Sequence, residues 1–175
     1  MIIEKRAAHE VRAEGRRLVG YAALFGREAR ISDFRETIAP GAFGASLTAG
    51  TDILALVDHS PSRVLARTRS GTLRLSEDER GLRFEIDLPD TSDGRDMLAL
   101  ATRGDLGGMS FGFTVPSGGE TWAGERRTLK QVNLIEVSVV QSFPAYSGTS
   151  VQARALMART LADRRIALLD LEAGR

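Results

Sequence analysis

The sequence contains no cysteine and only two histidines, and these absences narrow the chemistry open to it. Without cysteine the chain has no disulfide, no thiolate nucleophile and no cysteine-ligated zinc. With His9 and His59 as its only imidazoles, a metal site would have to rest mainly on carboxylates. We therefore predict no metal centre and no cofactor. His9 lies in a charged N-terminal segment, and we expect it to be a surface residue.

The chain also has no large excess of either charge and no long apolar run. The 24 basic and 23 acidic side chains leave a formal charge of +1, which argues against a strongly basic nucleic-acid binder. No apolar run approaches the roughly 18 residues needed to cross a bilayer. Residues 1–17 lack the apolar core of a secretory signal. We expect a soluble cytoplasmic protein that binds neither nucleic acid nor membranes directly.

What the chain does have is a dense series of β-strand signals over its first two-thirds. Residues 82–88 alternate apolar and charged side chains, which is the pattern of a half-buried antiparallel strand. Two extended segments, IIEKRAAHEV and RRLVGYAALFG, meet at a predicted turn that contains Gly15. At 175 residues, 42% of them hydrophobic, the chain is long enough for one domain with a substantial core.

Three segments have helical signals. Residues 91–103 begin with a capping threonine or serine, and Gly104 follows their end. A short helix is predicted over residues 41–50, and residues 149–175, rich in Ala, Leu and Arg, indicate a third. About nine strands and three helices predict an α+β fold that is mainly β. We expect a barrel-like antiparallel sheet flanked by a few helices, with a C-terminal helical tail.

A lone serine between glycines, in residues 107–115 (GGMSFGFTV), is the first candidate for chemistry. In an extended strand the apolar side chains would share one face, and Ser110 would share the other with Gly108 and Gly112. This leaves the hydroxyl open to a bound peptide and predicts a nucleophile, with backbone N–H groups near Gly107 receiving an oxyanion. The alternative is a face of small residues packed under another element.

A serine nucleophile needs a base, and His59 is the candidate. It ends the apolar run ILALVDHS, where a strand end at the rim of a sheet is both rigid and reachable by solvent. The alternative is a structural histidine. Asp58 adjoins His59 but points to the opposite face of an extended chain, so the acid that orients the ring must come from elsewhere.

Glu136, in NLIEVSVVQ, is the strongest candidate for that acid. A carboxylate between branched apolar residues is costly to bury unless it is paired and hydrogen-bonded. Ser138 shares its face and is one candidate partner, and an imidazole is another. The alternative is an ion pair between Glu136 and an arginine of a neighbouring strand.

Six stretches, in this order, resemble the prohead (capsid maturation) serine proteases of tailed phages, a family related in fold to the herpesvirus assembly proteases. They cover roughly residues 18–150 and read LVGYAALFG, ETIAPGAF, VDHSPSRVLARTRSGTLRL, DERGLRFEIDLPDT, GDLGGMSFGF and LIEVSVVQSFPAY. On this resemblance we assign residues 1–150 to a prohead protease domain and residues 151–175 to the helical tail.

The resemblance implies a serine endopeptidase inside the assembling procapsid that removes the scaffolding segment of the major capsid protein and usually cleaves itself. The expected partners are the capsid protein with that segment and further copies of the chain. His59 in VDHSPS matches the base and Ser110 in GMSFGF matches the nucleophile. Glu136 in LIEVS matches the place of the third member, where the herpesvirus relatives have a second histidine.

Two other functions stay open at this stage. One is a non-catalytic assembly factor, in which the same fold binds capsid protein as a scaffold. The other is an unrelated β-barrel binding module that contacts its ligand through the loop GGETWAGERR, which holds Trp122. The presence of both Ser110 and His59 favours the enzyme.

Overall fold

The computed structural model describes residues 3–8 and 10–142. The predicted C-terminal helical tail therefore lies outside the described residues, and so does His9. Within the described ranges the chain forms thirteen strands and two helices. The strands are Glu4–Ala8 (β1), Glu10–Glu14 (β2), Arg17–Leu24 (β3), Ala29–Ile31 (β4), Phe34–Ile38 (β5), Leu54–Val57 (β6), Ser60–Arg67 (β7), Leu73–Glu77 (β8), Gly81–Asp87 (β9), Gly108–Thr114 (β10), Glu120–Ala123 (β11), Arg126–Leu129 (β12) and Asn133–Val140 (β13). The helices are Gly44–Thr48 (α1) and Ser92–Arg103 (α2).

The strands form three sheets. The central sheet has the order β1-β10-β13-β6-β7, the second sheet β2-β3-β9-β8 and the third sheet β11-β12-β5-β4. The predicted α+β class with mainly β structure is confirmed. The barrel-like arrangement is not confirmed, because the described strands close no barrel. No helix in the described part of the chain is long and apolar enough to span a bilayer.

Local patterns account for several elements. The alternation over residues 82–88 holds, since the apolar members are buried and Arg83, Glu85 and Asp87 lie on the partly exposed face. Helix α2 begins where expected, with the Thr91 side chain accepting a hydrogen bond from the Gly94 N–H at 3.3 Å.

The first predicted strand divides between two sheets. Strand β1 pairs with β10 in the central sheet, whereas β2 pairs with β3 in the second sheet. The predicted turn at Gly15 then joins β2 to β3, and Gly15 has the positive φ of 61° that such a turn requires. The N-terminal segment therefore links the two sheets.

A single hydrophobic cluster joins the central and second sheets. Strand β10 contributes Met109, Phe111 and Phe113, which are at most 1% exposed. Phe43, just before α1, packs edge-to-face on Phe111 with ring centroids 5.4 Å apart. Burying side chains of this size contributes about 1.5–3 kcal/mol each, so this face of β10 is firmly fixed against the core.

Candidate active site

The pairing of β10 with β13 places the predicted residues on one face of the central sheet. Ser110 lies directly opposite Ser138, and Gly112 lies directly opposite Glu136. Directly opposed residues in an antiparallel pair point to the same face, with Cβ atoms about 4.5–5.5 Å apart. Ser110 therefore neighbours Ser138, on the face away from the phenylalanines.

Glycine at position 112 makes room for the acid. A Cβ atom built on Gly112 would lie 2.3 Å from Glu136 Oε1, a distance that no real side chain tolerates. The space beside Ser110 that the sequence suggested was open to a peptide is thus filled on the Gly112 side by the Glu136 carboxylate. The prediction of an open hydroxyl was wrong in this respect, because Ser110 is only 4% exposed.

His59 lies at the tip of a two-residue hairpin loop between β6 and β7. Val57 pairs with Ser60, and the two loop residues, Asp58 and His59, have φ values of 49° and 60°. Positive φ at both positions is the signature of the tight turn that matches strand twist. The sequence-based argument treated these two residues as extended, and that premise was wrong.

The turn brings the imidazole of His59 onto the carboxylate of Glu136. His59 Nδ1 lies 2.7 Å from Glu136 Oε1. The His59 side chain is 17% exposed and that of Glu136 is 9% exposed, so the pair is sheltered while the ring still reaches the surface. Because an ionised carboxylate only accepts hydrogen bonds, Nδ1 donates and Nε2 is the basic nitrogen.

The second oxygen of the carboxylate is also occupied. Ser138 Oγ donates to Glu136 Oε2 at 2.5 Å, and it accepts the backbone N–H of His59 at 3.2 Å. Both partners that the sequence suggested for Glu136 are therefore in contact with it. Among the described residues no arginine contacts this carboxylate. We call His59, Glu136 and Ser138 the site cluster.

Asp58 does not contact the ring of its neighbour. Its carboxylate accepts hydrogen bonds from the backbone N–H of Gln141 at 3.0 Å and from the Gln141 side chain at 2.5 Å. Arg63, which also binds Asp93 at the start of α2, lies 3.5 Å from Asp58. Sequence reasoning missed this anchoring role, although an aspartate in a tight turn before a histidine was a usable signal.

Ser110 is brought beside the site cluster without bonding to it. No hydrogen bond joins Ser110 and His59 within residues 3–8 and 10–142. Hydrogen bonds of a catalytic site are often long in the free enzyme and tighten when substrate binds. The N–H of Gly107 donates to Val140 O at 2.9 Å, so this group is not assigned to the oxyanion.

The remaining candidates from the sequence are the tryptophan loop and a metal site. Trp122 is 50% exposed, but it belongs to the third sheet, where its ring packs edge-to-face on Phe34 at 5.1 Å. Within the described residues no group of three or more His, Cys, Asp or Glu side chains has the arrangement of a metal site.

Comparison with known proteins gives one family. The family model described as caudovirus prohead serine protease matches residues 3–163, which is nearly the whole chain. Neither the curated proteins nor the solved structures give a match.

Proposed function

The chain belongs to the caudovirus prohead serine protease family, and we propose that it cleaves the scaffolding segment of the major capsid protein, and itself, during capsid maturation. It acts as a serine endopeptidase inside the assembling procapsid. Ser110 is the nucleophile, His59 is the general base, and Glu136 is the acid that orients the base. No cofactor takes part in this mechanism.

The observation that carries the proposal is the partly buried pair of Glu136 and His59. An imidazole with its Nδ1 held by a carboxylate and its Nε2 unengaged among the described residues is the arrangement that activates a serine hydroxyl. Ser110 lies one strand away from Ser138, which contacts both members of the pair. The family match supplies the class of reaction.

The steps follow from these roles. Ser110 Oγ attacks the scissile carbonyl carbon while His59 Nε2 takes the hydroxyl proton. His59 then returns this proton to the leaving amine as the peptide bond breaks, which leaves an ester on Ser110. Water attacks the ester carbonyl while His59 Nε2 accepts a proton from the water. His59 then gives this proton to Ser110 Oγ as the ester C–O bond breaks, which releases the new C-terminal acid and restores the serine. Glu136 stabilises the positive charge that the ring carries in both halves of the reaction.

Co-expression with the major capsid protein tests the proposal. The chain is produced as wild type, as Ser110→Ala and as Ser117→Ala, whose serine is exposed in the loop before β11. Intact masses of the capsid protein are then measured. We expect truncation with wild type and Ser117→Ala and none with Ser110→Ala, because removing a catalytic serine costs about a millionfold in rate.

Two results would contradict this function. Equal truncation with Ser110→Ala would show that another residue or another protease cuts the capsid protein. No truncation with any variant, together with co-assembly of the chain into particles, would favour the non-catalytic scaffold instead. Circular dichroism of purified Ser110→Ala checks that the loss of cleavage is not a loss of folding.

A further inference from the structure

We propose that Ser138 is a positioning residue that fixes the imidazole of His59 and the carboxylate of Glu136 in one geometry. The catalytic consequence rests on the proposed function, whereas the geometric claim stands without it. Ser138 lies in β13, has no exposed surface, and contacts the backbone of His59 and the carboxylate of Glu136.

The three residues of the site cluster form a closed ring of hydrogen bonds. The His59 N–H donates to Ser138 Oγ, the Ser138 hydroxyl donates to Glu136 Oε2, and Glu136 Oε1 accepts from His59 Nδ1. Each direction is forced, because an N–H only donates and an ionised carboxylate only accepts. The ring thereby ties the main chain of the base to the acid that selects its tautomer.

The backbone of the base needs such a tie. Asp58 and His59 both have left-handed φ values, and each non-glycine residue in this region costs about 1–2 kcal/mol. Conformations of this kind persist only where the surroundings hold them. The Asp58 N–H donates to Val139 O at 2.9 Å, and the next N–H, that of His59, donates to Ser138 Oγ. Ser138 is thus the side chain that joins the strained turn to Glu136.

Burial separates this role from that of a second nucleophile. Ser138 is 0% exposed, and its one proton is donated to Glu136. Ser110, directly across the sheet, has no side-chain hydrogen bond to any described residue, so its proton is not committed in this way. The two neighbouring serines therefore divide the work: Ser110 reacts, and Ser138 positions.

Nitrogen NMR of the imidazoles tests the geometric claim directly. The chain has two histidines, so the spectrum of His59→Gln assigns the His59 signals by difference. In wild type we expect the neutral ring of His59 to carry its proton on Nδ1. In Ser138→Ala we expect a measurable population with the proton on Nε2. The Glu136 carboxylate loses the hydroxyl that binds its Oε2, and the turn loses the oxygen that accepts the His59 N–H.

Cleavage of a capsid-protein substrate tests the catalytic consequence. We expect Ser138→Ala to lower kcat by about 10–100-fold with little change in KM, because a misplacement of about 1 Å in a reacting group can cost about 100-fold in rate. Ser138→Cys keeps the branching of the side chain, with a somewhat larger sulfur atom that is a weak hydrogen-bond donor, so its kcat should lie between those of wild type and Ser138→Ala.

Ser46 provides a matched control. It is also buried, at 7% exposure, and its hydroxyl also bridges, donating to Val132 O at 2.6 Å and accepting the Leu134 N–H at 2.8 Å. Among the described residues no hydrogen bond joins Ser46 to His59 or Glu136. Ser46→Ala should cost stability in the same way as Ser138→Ala but leave the His59 tautomer and kcat unchanged.

The outcomes separate this inference from the proposed function. Unchanged tautomer and kcat in folded Ser138→Ala would overturn the inference and leave the protease standing. A shifted tautomer in a chain that cleaves no capsid protein even as wild type would keep the positioning role and sink the protease. If Ser138→Ala does not fold, Ser138→Cys decides, and wild-type values in it overturn the inference.

Discussion

Two buried glutamates of this protein have almost the same exposure but bind different kinds of partner. Counted over the whole residue, Glu36 is 3% exposed and Glu136 is 7% exposed. Glu36 binds two guanidinium groups, with Arg6 Nη2 at 2.8 Å and Arg127 Nη1 at 3.0 Å. Glu136 instead binds an imidazole and a hydroxyl. Two carboxylates of similar burial therefore differ in their partners, which are guanidinium groups for Glu36 and an imidazole and a hydroxyl for Glu136.

Glu36 belongs to a network of ion pairs between three glutamates and two arginines, which we call the ion cluster. It links β1, β5, β11 and β12, and its members are Glu4, Arg6, Glu36, Glu120 and Arg127. A guanidinium group keeps its charge at every physiological pH, so the cluster holds strands together without exchanging protons. An imidazole gains and loses its charge near neutral pH, which is what a base must do.

The largest expected effect comes from removing the charge of Glu136. Glu136→Gln should lower kcat by about 10⁴-fold, because an amide neither selects the productive tautomer nor stabilises the charged ring. The measurement is the rate of capsid-protein cleavage, with the fraction of folded chain determined by circular dichroism. A kcat within tenfold of wild type would remove Glu136 from the mechanism.

Glu36→Gln makes the same change of carboxylate to amide in the ion cluster. Removing one partner of a buried ion network costs about 3–5 kcal/mol, so the free energy of unfolding in urea should fall strongly. The rate per folded molecule should stay at the wild-type value. If Glu36→Gln lowered kcat, or Glu136→Gln lowered only stability, the division between the two clusters would be wrong.

A smaller effect is expected from crowding the carboxylate. Gly112→Ala places a Cβ only 2.3 Å from the present position of Glu136 Oε1, so the carboxylate must shift. A displacement of about 1 Å in a catalytic group can cost about 100-fold in rate, and we expect a decrease of 10–100-fold in kcat. In Gly94→Ala the three atoms nearest the new Cβ all belong to Pro89, the closest at 2.1 Å, so stability should fall while kcat does not. Equal rates in Gly112→Ala and wild type would contradict this geometry.

The smallest expected effect is the response of the ion cluster to acid. Burial alone would raise the pKa of Glu4, but the hydrogen bond and charge of Arg127, with those of Arg6, outweigh it and hold the pKa below its ordinary value of 4.5. A carboxylate with a lowered pKa in the folded state stabilises the protein above the unfolded value and loses this contribution as the pH falls through the folded value. The free energy of unfolding should therefore decline below about pH 4.5, and Glu4→Gln should flatten that decline. A decline that is identical in Glu4→Gln would assign it to other carboxylates.

Sequence reasoning reached the contact partners of Glu136 but not the division of the strands among the sheets. Glu136 stood out because a charged residue interrupts an apolar strand, and Ser138 followed from the two-residue period of that strand. No sequence pattern indicated that Glu36 binds two arginines. Its strand alternates in the ordinary way, and its partners lie far along the chain. The assignment of the first segment to two sheets was missed for the same reason, because strand pairing is not a local property.

Reasoning from near neighbours also gave different results for the His59 turn and for the strand that holds Ser110. That Asp58 would not orient His59 was expected from an extended chain, and the outcome is the same although the chain turns there. The open face around Ser110 was expected from small neighbours. Local reasoning had no means to place the Glu136 carboxylate above Gly112.

The sequence by itself determined the properties that depend on near neighbours: the alternation of β9, the cap and the end of α2, the turn at Gly15, and the residue types that a serine protease needs. Only the tertiary structure decided which of those residues meet. His59 and Glu136 are 77 positions apart, and Arg6 and Glu36 are 30 apart. Side-chain periodicity is fixed by backbone geometry over a few residues. Contacts over such separations exist only once strands from distant parts of the chain have paired.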